Sequence, residues 1–118
     1  MTGYTDKHEY TNKNGVTSVV YLMDCMDAMA QMRDKEFDLA CVDPPYGLGI
    51  DGQKLNNTNK NRKHNRRKHD FKGWDCGIPN KDYFERLRLI SRNQIIWGGN
   101  YFTECLNPTK AWVFWYKG

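Results

Sequence analysis

The sequence predicts an α/β fold, with a mostly parallel sheet flanked by helices, on three observations. Strand-like and helix-like patterns alternate along the chain. The apolar run Phe37-Asp38-Leu39-Ala40-Cys41-Val42 meets Pro44-Pro45, which forbid regular continuation, so a short buried strand stops at a stiff turn. A helical pattern over about residues 81–92 then leads into a second apolar run, Gln94-Ile95-Ile96-Trp97.

In chain order, a polar leader precedes a first strand, Thr17-Ser18-Val19-Val20-Tyr21-Leu22. Asp24 can cap a helix starting at Cys25, with Met26, Met29 and Ala30 on its inner face. The strand 37–42 delivers Asp43-Pro44-Pro45-Tyr46, and Gly47 and Gly49 let the backbone fold closely away from it. Pro79-Asn80 announces the helix at 81, with Tyr83, Leu87 and Ile90 on one face. The run ending at Trp97 passes into Gly98-Gly99-Asn100, and an aromatic strand is expected over Ala111–Tyr116. No helix follows to cover that strand, which leaves Trp112, Phe114 and Trp115 partly bare, whereas a parallel sheet normally has both faces covered. Trp97 and Trp112 are expected in the core, and Asn100 at a turn.

Length and composition bound the function. At 118 residues, 39% apolar and 14% aromatic, the chain makes a single globular domain with one modest core. No apolar run approaches the roughly 20 residues of a membrane span, and residues 1–10 lack the apolar stretch of a signal peptide. The four cysteines contain no C-x-x-C pair, and Cys25 and Cys41 fall in expected core elements. They read as reduced thiols of a cytoplasmic protein. His64 and His69 lie among lysines and arginines, which argues against a metal site.

The charge is unevenly placed. Residues 54–72 carry eight lysines and arginines against Asp70 alone, a segment charge of +7, while the rest of the chain holds 10 basic and 13 acidic residues, or −3. Residues 51–72 also contain five asparagines and almost no large apolar side chains, the composition of a long basic loop. Lys60, Arg62, Lys63, Arg66, Arg67 and Lys68 are therefore candidates for contact with a DNA backbone; the plain alternative is a solvated loop that aids solubility. If they neutralise phosphates, each contact should steepen the slope of log affinity against log salt by about 0.9.

The turn at 43–46 carries the chemistry. It offers a carboxylate on Asp43, a carbonyl on Pro44 and an aromatic ring on Tyr46, at the strand end where open α/β sheets bind ligands. A flat ring bearing an amine suits these groups: the ring stacks on Tyr46 while the amine donates to Asp43 and to the Pro44 carbonyl. A Pro-Pro turn with a surface Asp and a packing Tyr is the competing reading.

Taken together, Leu22-Met23-Asp24-Cys25, Phe37-Asp38-Leu39 and Asp43-Pro44-Pro45-Tyr46-Gly47 resemble the start of S-adenosylmethionine-dependent amino-group DNA methyltransferases. The likeness is to the permuted, β-type class, in which the Asp-Pro-Pro-Tyr motif precedes the cofactor-binding glycine motif. Trp74-Asp75, Tyr83-Phe84 and Asn93-Gln94-Ile95-Ile96-Trp97-Gly98-Gly99-Asn100-Tyr101-Phe102 are similar to its phage and prophage adenine-N6 members. The resemblance covers about residues 17–117.

It implies a partial Rossmann-like methyltransferase fold, with the second, C-terminal half lying outside this sequence. It implies that Asp43, Pro44, Pro45 and Tyr46 form the catalytic turn. Asp43 and the Pro44 carbonyl would each accept a hydrogen bond from the target amine and draw its lone pair out of conjugation, ready to attack the sulfonium methyl. Tyr46 would stack on a base flipped from the duplex, an interaction of roughly 1–3 kcal/mol per base. Asp24, Cys25 and Asp43 match the side of the family's site that meets S-adenosylmethionine. Double-stranded DNA is the implied partner, and a homodimer or a complementary half would complete the enzyme. The family's glycine-rich cofactor loop has no counterpart here, and Gly98-Gly99 lacks the further glycine and helix to replace it. Alternatives are a non-catalytic DNA-binding remnant, one half of a split enzyme, or a cytosine-N4 or RNA amino-methyltransferase.

Overall fold

The computed structural model describes residues 1–49, 51, 70, 72–73 and 75–116. The chain divides into two compact units, Met1–Ala40 with Asp82–Ile95, and Cys41–Lys81 with Ile96–Gly118.

The first unit opens with a hairpin. Strand β1 (Asp6–Thr11) pairs antiparallel with β2 (Thr17–Leu22), with Asp6 opposite Leu22 and Thr11 opposite Thr17. The turn between them is built by Asn12, whose side-chain oxygen accepts from the Asn14 and Val16 amides at 2.9 and 3.0 Å, with Gly15 at φ +79°. β1 was not anticipated, since Asp-Lys-His-Glu-Tyr-Thr shows no apolar alternation. It is held by the ladder and by cross-strand contacts such as the Lys7 ammonium 5.8 Å from the Tyr21 ring centre.

Helix α1 (Cys25–Ala30) begins where expected. Asp24 Oδ1 accepts from the Met26 and Asp27 amides at 2.7 and 3.3 Å, satisfying two of the donors a helix start leaves unpaired. Helix α2 (Lys81–Ile90) supplies most of the core: Tyr83, Phe84, Leu87 and Ile90 are buried on one face, joined by Met29 of α1. Each of the aliphatic and Phe side chains contributes about 1.5–3 kcal/mol through burial. The two helices are tied by Arg86, which donates to the Met29 and Met32 carbonyls at 2.9 and 2.8 Å. Lys35 Nζ donates to the Arg88 and Ser91 carbonyls, the first at 2.6 Å, satisfying carbonyls exposed at the end of α2.

Strands β3 (Phe37–Val42) and β4 (Ser91–Ile96) form a second two-stranded sheet. Asn93 Nδ2 reaches the Asp38 carbonyl and Trp97 N the Val42 carbonyl, a constant offset of 55 residues that identifies the pair as parallel.

Several expectations are corrected. α2 stops at Ile90 and β4 begins at Ser91, with no residues between. β3 is largely exposed; only Ala40 and Val42 are half-buried. Met29 alone of the expected Met26, Met29 and Ala30 face is buried. Cys25 and Cys41 are free and exposed rather than in the core. Ala111–Tyr116 is not a strand. A strand requires a ladder partner, and the two sheets of the described residues contain β1 to β4 only, so all six residues lie exposed. Trp97 and Trp112 are accordingly 44% and 56% exposed, and Trp97 meets Trp115 edge-on at 5.9 Å. Among the described residues, no helix is long and apolar enough to cross a membrane.

Candidate active site

The site lies in the second unit, at the end of β3. The Pro44-Pro45 pair stops the strand, leaving Asp43 exposed, Pro44 buried, and Pro45 and Tyr46 half-buried. The Tyr46 hydroxyl donates to Asp43 Oδ1 in a short hydrogen bond. This bond, reinforced by partial burial and by the charge of Asp43, pushes the Tyr46 phenol up to about 12. The carboxylate and the aromatic face predicted from the sequence are therefore joined in one constellation.

The segment after β4 completes it. Gly98 adopts φ +68°, and a Cβ there would lie 2.2 Å from Tyr46 Cε1, so only glycine lets the ring in so closely. The chain then makes a 3₁₀ turn over Gly99–Tyr101, and Asn100 does sit at that turn. Tyr101 stacks on Tyr46 with ring centres 4.9 Å apart and planes 16° from parallel; Phe102, 1% exposed, meets Tyr46 at 6.0 Å. Asp-Pro-Pro-Tyr and Gly-Gly-Asn-Tyr-Phe, separated by more than fifty residues, thus pack as one unit around a single ring.

A buried carboxylate supports the exit from the turn. Asp75, 1% exposed, accepts the Gly47 amide on Oδ1 at 2.8 Å, and its backbone carbonyl accepts the Gly49 amide at 3.2 Å. Asp51, 6% exposed, accepts the Lys72 amide at 2.8 Å. Sequence reasoning missed Gly98, Tyr101 and Asp75 as parts of the site. The one signal available was the occurrence of Asp75 beside Trp74 and of Gly98 and Tyr101 in the resembling segment.

The arrangement has defined chemical capacity. Asp43 Oδ1 is engaged by Tyr46, yet a carboxylate has about four acceptor positions, enough to take an amine N–H as well. The Tyr46 ring already accepts a flat partner, Tyr101. A planar amine-bearing ligand would meet an acceptor and an aromatic surface within one turn.

The residues expected to face S-adenosylmethionine fall in both units. Asp24 and Cys25 belong to the first unit and Asp43 to the second. Asp24 Oδ1 serves the α1 cap, and the Cys25 thiol, partly covered although the residue is exposed, is pushed up by that partial burial and by the charge of Asp24. A groove of about 440 Å³ in the first unit is lined by Met26, Ala30, Asp82, Glu85, Arg86 and Leu89, none of them an expected cofactor residue. Trp74 and the candidate DNA contacts Lys60, Arg62, Lys63, Arg66, Arg67 and Lys68 lie outside the described residues. Among the described residues, no cluster of His, Cys, Asp or Glu could hold a metal ion. No family model, no curated protein and no solved structure matches the chain.

Proposed function

We propose that this chain supplies the base-binding side of an adenine-N6 DNA methyltransferase within a Rossmann-like fold, with S-adenosylmethionine as methyl donor. The observation that carries the reading is the constellation of Asp43, Tyr46 and the Gly98–Phe102 segment. A carboxylate sits at a strand end beside an aromatic ring, and a remote glycine turn is shaped to hold that ring. Asp43 accepts a hydrogen bond from the target amine, which raises the lone-pair density on its nitrogen for attack on a methyl group. The flipped base stacks on the Tyr46 ring while Asp43 takes the amine on an acceptor position that the Tyr46 hydroxyl leaves open. Roughly 1–3 kcal/mol from that stack offsets part of the few kcal/mol that flipping costs. The basic segment 54–72, which follows the turn in sequence, binds the duplex backbone.

The test is transfer of a labelled methyl group from S-adenosylmethionine to unmethylated duplex DNA. Label on DNA with the native chain and none with Asp43→Ala, at a DNA affinity unchanged within a few-fold, is the expected result. Turnover retained by Asp43→Ala would overturn the mechanism. Salt-dependent DNA binding without methyl transfer would favour a non-catalytic DNA-binding role.

A further inference from the structure

We infer that Asp75 is a positioning residue for the turn: it holds the peptide that follows Tyr46 and thereby aims the Tyr46 hydroxyl at Asp43. The inference rests on the reading of Asp43 and Tyr46 as the base-binding pair.

The Gly47 amide belongs to the same rigid peptide plane as the Tyr46 carbonyl. Anchoring that N–H on Asp75 Oδ1 at 2.8 Å therefore sets the orientation of the peptide on the C-terminal side of Tyr46. A second bond, from Gly49 N to the Asp75 carbonyl at 3.2 Å, grips the same stretch two residues on. Gly47 itself sits at φ +68°, and a Cβ there would lie 3.3 Å from the Gly77 carbonyl carbon and from Ile78, so backbone packs against it. The turn is thus held by hydrogen bonding from Asp75 and by contact with residues 77–78.

Burial makes the assignment stronger than a loop contact would. A carboxylate 1% exposed is costly unless its hydrogen bonds are made, and one of those made here goes to the residue directly after Tyr46. On the other side of Tyr46, Pro44-Pro45 restrict the backbone through their fixed φ. Asp75 supplies the matching restraint on the C-terminal side, where the glycines would otherwise leave the chain free.

The measurement is the ¹³Cζ resonance of Tyr46 in the full chain labelled with [¹³Cζ]tyrosine, assigned with Tyr46→Phe. Asp75→Ala is expected to move the Tyr46 resonance toward the free-tyrosine position while that of Tyr83, in the first unit, stays in place. Asp75→Asn is expected to restore the native position, because the amide oxygen still accepts the Gly47 N–H. Asp75→Glu guards against misfolding of the alanine variant: it keeps the charge but displaces the acceptor, and should move Tyr46 alone. A Tyr46 resonance unmoved in Asp75→Ala, or unmoved in Asp75→Glu where the alanine variant also shifts Tyr83, overturns the assignment. The readout does not depend on turnover, so its failure is distinct from a failure of methyl transfer.

Discussion

The two units of this chain are stabilised in opposite ways. In the first, one face of α2 buries Tyr83, Phe84, Leu87 and Ile90, and Met29 packs with them in an ordinary apolar core. In the second, the buried residues include Phe102, which meets the Tyr46 ring, and the carboxylates of Asp75 and Asp51, among the glycines and a double proline. An apolar core resists substitution in proportion to the area it buries. A polar and aromatic cluster instead fixes directions, which is what an amine-binding site requires. Tyrosine makes the contrast plain. Tyr83 and Tyr46 are both raised to about 12, but Tyr83 first by burial and Tyr46 first by its bond to Asp43.

The contrast is broken most severely by Phe84→Ala, which empties the centre of the first unit. A loss of about 3–5 kcal/mol is expected, read as an earlier denaturation midpoint. A loss below about 1 kcal/mol would mean that α2 is not the main source of stability. Gly98→Ala comes next. It places a methyl group in the Tyr46 ring at a positive φ and should cost about 1–3 kcal/mol. The Tyr46–Tyr101 stack should be lost with it, which near-ultraviolet circular dichroism would register; an unchanged aromatic spectrum would show that the ring does not need the glycine.

The smallest effect is expected of Tyr46→Phe, at most about 1 kcal/mol because Asp43 is exposed. Its value lies in pH dependence. A phenol at about 12 in the folded chain against 10.0 in the unfolded one favours folding while protonated. That contribution is complete below pH 10 and lost as pH rises through about 12. Tyr46→Phe should flatten this alkaline limb, and Tyr83→Phe should flatten it by the burial of Tyr83 instead. An unchanged limb in Tyr46→Phe would detach the hydroxyl from Asp43.

Local sequence by itself determined the pieces whose physics is local. Asp24 ahead of Cys25 specified a helix start, because a side-chain oxygen two residues from an unpaired amide needs no tertiary help. Pro44-Pro45 ended β3, and the spacing of Tyr83, Leu87 and Ile90 named the buried face of α2. Asp43 and Tyr46 were legible as the carboxylate and the aromatic face of one Pro-Pro turn, whereas the bond between them was not. β1 was not, because its pairing depends on a turn and a neighbouring strand rather than on its own pattern. Nor was the fate of Ala111–Tyr116, whose strand-forming side chains cannot make a strand without a partner ladder. The remainder of the site was decided by tertiary structure alone. Gly98, Tyr101 and Asp75 become site residues only when segments far apart in sequence meet, and their roles reside in a ring contact and a backbone hydrogen bond that no single segment contains.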